Sequence, residues 1–242
     1  MTVIRQLDAS VTIFSVPFSR YGVPVGGRST AVKMDQGKIV LFASHPRDPE
    51  TARKLQELGS TVSHIVALDA VHQLYLSDYI QAYPSAKLVG PSSLVSRRKD
   101  LKFDIVLPGS PLDPELAKEF QAIPLAEHLN GDVIWYHSPT KTLIEADAMY
   151  NLAGKEPDQK AFSVVPRFML RQMTPWTLFH RLLIKGFGIK NPSAYGRSVR
   201  IVDSLDFTRI IPCHGDLIHG PDAKRAWRSL YRNYVKADMK EK

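Results

Sequence analysis

Five side chains able to bind a metal or carry a proton stand beside apolar runs of the chain. Asp69 and His72 follow Ile65-Val66-Ala67-Leu68. His128 precedes Val133-Ile134-Trp135-Tyr136. Asp147 closes Thr142-Leu143-Ile144-Glu145-Ala146, and His214 follows Ile210-Ile211-Pro212-Cys213. A side chain at a strand end is held rigidly and faces the crevice where α/β proteins bind ligands. Imidazoles and carboxylates together are the ligand set of zinc, iron or manganese hydrolytic sites. Such a metal lowers the pKa of a bound water to about 7 and so supplies hydroxide at neutral pH. Each residue also has an ordinary structural use. Asp69 suits a helix N-cap as well as a ligand position. His72, three residues on, would share one face of a first helical turn with it. His128 suits a loop, Asp147 a turn cap, and His214 a hydrogen-bonded tight turn before Gly215.

The elements that must position these residues are readable. Val11 to Phe18 is a strand, and residues 29–34 and 38–43 form a hairpin around Asp35-Gln36-Gly37-Lys38. Asp48 to Leu58 is a helix with Asp48 as cap, Pro49 in its first turn and Gly59 at its end. A strand from Val62 to Leu68, a helix from Val71 to Tyr83 and a strand from Ala86 to Val89 follow. Ile105 to Leu107 is a strand and Asp113 to Phe120 a short helix. Ile134 to Tyr136 and Thr142 to Glu145 form a second hairpin. Residues 152–163 read as loop. Arg167 to Phe187 is rich in Met, Leu, Phe and Trp, and is broken at Pro175. It is expected to cover the cleft mouth or to form a homodimer contact. Ser198 to Leu205 is helical, Thr208 to Ile211 a strand, and Pro221 to Val235 a closing amphipathic helix.

Composition bounds the answer. The chain has 242 residues, 44% of them hydrophobic and 23% charged, as in an ordinary globular protein. A core of this size needs no disulfide or structural metal. The single cysteine, Cys213, excludes an intrachain disulfide framework and a Cys-rich zinc site. Met1 to Asp8 has no signal-peptide pattern, and no apolar run reaches transmembrane length, so a cytoplasmic protein with no integral membrane segment is expected. The net charge of +8 is carried by scattered residues, with Arg97-Arg98-Lys99 and Lys224-Arg225 as short clusters. Nothing resembles a basic arm, and no nucleic-acid partner is expected.

The order of these segments resembles the metallo-β-lactamase fold superfamily. His128-Leu129-Asn130-Gly131-Asp132 followed by a strand resembles that family's H-T-x-G-S motif. Glu145-Ala146-Asp147 resembles its G-D, whose Asp bridges two metals, and Pro212-Cys213-His214-Gly215 its P-G-H-G. The family's T-H-x-H-x-D-H motif is altered. Asp69 takes the first His position, Val71 the second, Gln73 replaces the Asp and Leu74 the last His, with His72 offset by one. Asp69-Ala70-Val71-His72-Gln73 resembles instead the shortened motif of the DUF4336-like branch. The resemblance implies an αββα four-layer sandwich, with residues 1–242 as one domain and 152–200 as a lid or insert. It implies one divalent metal, zinc first, with iron or manganese as alternatives and an empty site as the remaining one. His128 and His214 with a carboxylate would hold it, with Asp69 or His72 nearby and Asp147 or Glu127 orienting a water. The implied activity is hydrolysis of an ester, lactone or thioester of a small-molecule substrate. The alternatives are a non-catalytic binding or scaffold protein that kept the fold, or non-hydrolytic chemistry at iron.

Overall fold

Strands whose successive side chains point to opposite faces build the first sheet. A computed structural model describes residues 1–59, 61–154, 165–186, 189 and 191–235. Strand β1 (Val3–Gln6) pairs with β2 (Val11–Val16), and a small ribbon of β3 (Ser19–Arg20) and β4 (Val23–Pro24) follows. Strands β5 (Gly27–Lys33) and β6 (Lys38–Phe42) form the expected hairpin, turned at Gly37 with φ 76°. Helix α1 (Pro49–Leu58) begins as the sequence predicts, with Asp48 Oδ1 accepting from Thr51 N at 2.8 Å. Then come β7 (Thr61–Val66), α2 (Leu76–Ala82), β8 (Lys87–Pro91), α3 (Ser92–Val95) and β9 (Ile105–Leu107). These strands extend the sheet in parallel to the order β1-β2-β5-β6-β7-β8-β9.

Helix α4 (Pro114–Glu119) leads into the second sheet, whose strands are β10 (Phe120–Pro124), β11 (Val133–His137), β12 (Thr142–Glu145), β13 (Arg209–Pro212) and β14 (Ile218–His219), in that order. Strands β12 and β13 run parallel. Between them lie α5 (Arg167–Leu170), α6 (Leu178–Gly186) and α7 (Pro192–Ser204), and α8 (Pro221–Leu230) and α9 (Arg232–Val235) follow β14.

Side-chain alternation sorts the core into layers. From β6, Val40 and Phe42 join Trp135 of β11 between the two sheets, while Ile39 and Leu41 pack outward with Leu55 of α1 and Tyr79 of α2. From β11, Ile134 packs the other way, against Val199 of α7 and Trp227 of α8. The result is helix, sheet, sheet, helix. Phe42, Phe120 and Trp135 pin the sheets together through tilted and edge-on contacts at 5.5–6.0 Å between ring centroids.

Four readings change, the first being the closing helix expected from Pro221 to Val235, which breaks at Tyr231 into α8 and α9. The helix expected from Val71 starts only at Leu76, because Asp69 turns the preceding residues differently. Strand β10 has no strong alternation in its sequence and pairs at a sheet edge, where Pro124 is tolerated. Helix α7 starts at Pro192 rather than Ser198, capped by Asn191, whose side chain accepts from Ala194 N. Most of the expected 152–163 loop lies outside the described residues.

His45, just after β6, is wholly buried, with Nδ1 2.6 Å from Ser29 Oγ and Nε2 3.0 Å from Thr51 Oγ1. Burial pushes its pKa down to about 4. The unfolded chain takes up this proton below about pH 6.5, so the contribution of His45 is complete above that pH and is lost as pH falls towards 4. The loss amounts to about 3 kcal/mol. Urea midpoints measured from pH 7 to pH 4.5 should fall less steeply in His45→Gln than in the parent.

Candidate metal centre

Three strand ends meet at one edge of the sandwich. Beyond β7, Asp69 Oδ1 accepts from the backbone N–H groups of Val71 (2.8 Å) and His72 (2.7 Å). This is an Asx-type turn, and it, rather than a helix face, explains the spacing of three. Asp69 Oδ2 accepts from His72 Nδ1 at 2.9 Å. Beyond β13, His214 Nδ1 donates to the Gly26 carbonyl at 2.7 Å. The two free ring nitrogens, His72 Nε2 and His214 Nε2, face each other at 2.9 Å.

The third strand end is that of β12. Asp147 Oδ1 lies 3.5 Å from His214 Nε2 and 3.9 Å from His72 Nε2. Asn130 Nδ2 donates to Asp147 Oδ2 at 2.6 Å, and the Tyr150 hydroxyl donates to Oδ1 at 2.5 Å. The Tyr150 ring stacks on His214, 8° from parallel. Buried Cys213 adds a thiol, since ligand atoms of His72, Cys213 and His214 lie within 4.8 Å of one another. The same holds for Asp69, His72 and Asp147.

The other sequence candidates sit further out. His128 is half-buried on a turn and stacks on Tyr195, with centroids 6.3 Å apart. It shares a cleft wall with Asn130, Asp147 and Tyr150, but is in neither group of converging ligand atoms among the described residues. Glu127 is exposed at φ 63° and lines a separate groove with Pro91, Ser93 and Pro124. Val71 and Leu74 line, with His72 and His214, an apolar cleft beside Phe18 and Tyr75. Leu183 and Ile184 of α6, within the Met- and Leu-rich segment, line the cleft that Asp147 also lines. Asn130 and Tyr150 were not candidates in the sequence reading. Their only local signal is nearness to the motif residues His128 and Asp147.

Burial dominates the electrostatics. It opposes charge on His72, yet Asp69, followed by Cys213 and Asp147, raises the His72 pKa well above the usual imidazole value. Burial and then the charge of His72 push His214 down to about 4. Burial works to raise Asp147, but His72 and His214, with the Tyr150 hydroxyl, hold it below the ordinary carboxylate range. Behind it, burial and then Asp69 push Asp132 up to about 8, and burial and then Asp132 raise Glu145 well above its usual value. The front carboxylate is thus held towards its charged form, and the two behind it are driven towards the neutral one.

Solved structures share this arrangement of layers. A metallo-beta-lactamase from Pontibacter korlensis matches with a TM-score of 0.61 and 12% identity, over 96% of this chain and 100% of its own. DIM-1 metallo-beta-lactamase matches at 0.61 and 15% identity, over 96% and 97%. The metal-soaked flavodiiron core of Flv1 from Synechocystis matches at 0.69 and 14% identity, over 99% of this chain and 62% of its own. The chain has the metallo-β-lactamase fold. No protein-family model matches the sequence, and no curated protein does.

Within this fold the loop carrying His214 is fastened from both sides. Arg28, itself buried, donates through one guanidinium nitrogen to the carbonyls of Pro212 (2.7 Å) and Gly215 (2.8 Å). Asn151 makes an isolated bridge to Gly215, and its carbonyl accepts from Asp216 N at 2.8 Å. Gly215 has φ 98°, and a Cβ there would sit 2.3 Å from the Asn151 carbonyl oxygen. Gly215→Ala should therefore cost at least about 2 kcal/mol through backbone strain and displacement of the loop. Gly186→Ala, with nothing within 4 Å of the new carbon, should change stability by less than about 1 kcal/mol. Urea unfolding of the two variants checks this difference.

Proposed function

We propose that this protein is a single-metal hydrolase of the ester, lactone or thioester type, acting on a small molecule with an apolar acyl part. The observation that carries the reading is the meeting of two imidazole nitrogens and one carboxylate, each held in place from behind. His72 is oriented by Asp69, His214 by the Gly26 carbonyl, and Asp147 by Asn130 and Tyr150. Such outer partners fix the tautomer and direction of metal-binding side chains. Both groups of converging ligand atoms contain His72, whose Nδ1 is already committed to Asp69. That leaves one free nitrogen to share, which supports one cation rather than two.

The donor set of imidazole, carboxylate and thiol suits zinc best, and His72, His214 and Asp147 would hold it. A bound divalent cation would act as a Lewis acid and supply hydroxide at neutral pH. The chain's own residues do the positioning. Tyr150 and Asn130 keep the Asp147 carboxylate turned inward, and Asp132 holds the Asp147 backbone by accepting its N–H at 2.7 Å. Val16, Phe18, Val71 and Tyr75 on one side, and Leu129, Leu183 and Ile184 on the other, offer apolar walls to an acyl group. The shortened strip from Asp69 to Gln73 supports placing the chain near the DUF4336-like branch.

One observation favours a second reading. A charged His72 donating to a neutral His214 satisfies both nitrogens at 2.9 Å without a metal, as a scaffold protein would. Metal analysis separates the two. Protein purified without added metal and dialysed should retain about one equivalent of zinc. His72→Ala and His214→Ala should each lose it while keeping a cooperative unfolding transition, and should lose thioester and lactone hydrolysis with it. Two retained equivalents would overturn the single-site assignment. Metal-free parent protein without esterase, lactonase or thioesterase activity would establish the scaffold reading instead.

A further inference from the structure

The positive residues of the chain are scattered, but the acidic ones leave a gap. Residues 159–202 hold eight of the 32 Lys and Arg residues and none of the 24 Asp and Glu residues. The remainder of the chain is balanced, so the whole net charge of +8 belongs to this stretch. Such asymmetry points to an anionic partner.

The same stretch exposes large apolar side chains. Phe168, Met169, Trp176, Leu178, Phe179 and Leu182 are 47–69% exposed. Helix α6 is apolar on two faces. His180 and Ile184 are buried against the body, while Leu178, Phe179 and Leu182 point to solvent. One buried face is all that a surface helix needs. Arg167, Arg171 and Lys185, interleaved in sequence with these side chains, are exposed, and Arg181 is half-exposed. A face that is both cationic and apolar suits the headgroup and acyl boundary of an anionic membrane. A second copy fits poorly, because a two-fold contact sets the same unbalanced cations against themselves. A nucleic acid would use the cations but not the Leu, Met and Phe side chains.

We propose that the outer face of α5 and α6 docks on the surface of an anionic lipid bilayer. Leu183 and Ile184, on the same helix, line the cleft that Asp147 and Tyr150 share. Docking therefore brings the helix that walls this cleft to the lipid surface. No helix among the described residues is long and apolar enough to cross a membrane, so the contact is interfacial. The proposal does not rest on the metal reading, and its test is run with a chelator present.

The test is flotation of the full chain with vesicles of phosphatidylcholine alone, or with about 30% phosphatidylglycerol. Binding is expected to the anionic vesicles only, weakened about tenfold or more by high salt. Arg167→Gln with Arg171→Gln, and separately Phe179→Ser with Leu182→Ser, should each weaken it about tenfold or more. Trp135 and Trp227 are wholly buried, so a blue shift of emission on mixing with anionic vesicles reports Trp176. If the serine variant fails to fold, the Trp176 shift and the salt dependence of the parent decide. Absence of flotation and of the shift at low salt overturns the proposal. So does binding undiminished in a folded serine variant and matched by an oligonucleotide, which would assign the face to nucleic acid. A dimer that forms through this face and excludes vesicles overturns it as well.

Discussion

Two imidazole nitrogens that face each other out of water cannot both present lone pairs. His72 and His214 each commit Nδ1 as a donor, to Asp69 and to the Gly26 carbonyl, so only Nε2 is left on either ring. At 2.9 Å a proton or a cation must lie between them. Holding this contact requires two distant segments to be fixed to within a few tenths of an ångström. Asp69 fixes the first by folding residues 69–72 around its own carboxylate. Arg28, Asn151 and the backbone freedom of Gly215 fix the second. The sandwich supplies the frame, since His72 follows β7 of one sheet while Asp147 and His214 follow adjacent parallel strands of the other.

The carboxylates are graded by what surrounds them. Asp147 faces the imidazoles and stays charged, whereas Asp132 and Glu145, one layer deeper, are driven towards the neutral form by burial first, then by Asp69 for Asp132 and by Asp132 for Glu145. Neutral acids behind a charged one avoid stacking like charges in a medium of low polarity. They also remain available as donors and acceptors that set the backbone. Asp132 takes the N–H of Asp147, and Glu145 that of Met149.

Much of the frame was legible in the sequence because its signals are local. The turn at Gly37, the cap at Asp48 with Pro49, and the β11–β12 hairpin each depend on a few neighbouring residues, and each stands where expected. The strand-end positions of Asp69, His72, Asp147 and His214 were legible for the same reason. How His72 is presented was not. A spacing of three suits a helix, and only the hydrogen bonds of Asp69 show a turn. The partners of the site were hidden because they come from elsewhere. Arg28 reaches across 187 positions to Gly215, and Gly26 reaches 188 to His214. No periodicity or motif encodes such contacts. Strand β10 was missed because pairing with β11, rather than its own alternation, makes it a strand.

The walls of the cleft are apolar beside its ligands. Val71 and Leu74 both line the apolar cleft beside His72. Across the centre, Leu183 and Ile184 of α6 play the same part beside Asp147. Apolar side chains therefore flank the converging ligand atoms from both sides. They flank the charged Asp147 and His72 with hydrocarbon, which lowers the local dielectric and strengthens the electrostatic interactions between them. A compact donor set can work in such a place only if its members cannot reorient. That is why every one of the three converging side chains is tethered from behind by a hydrogen bond of 2.9 Å or less.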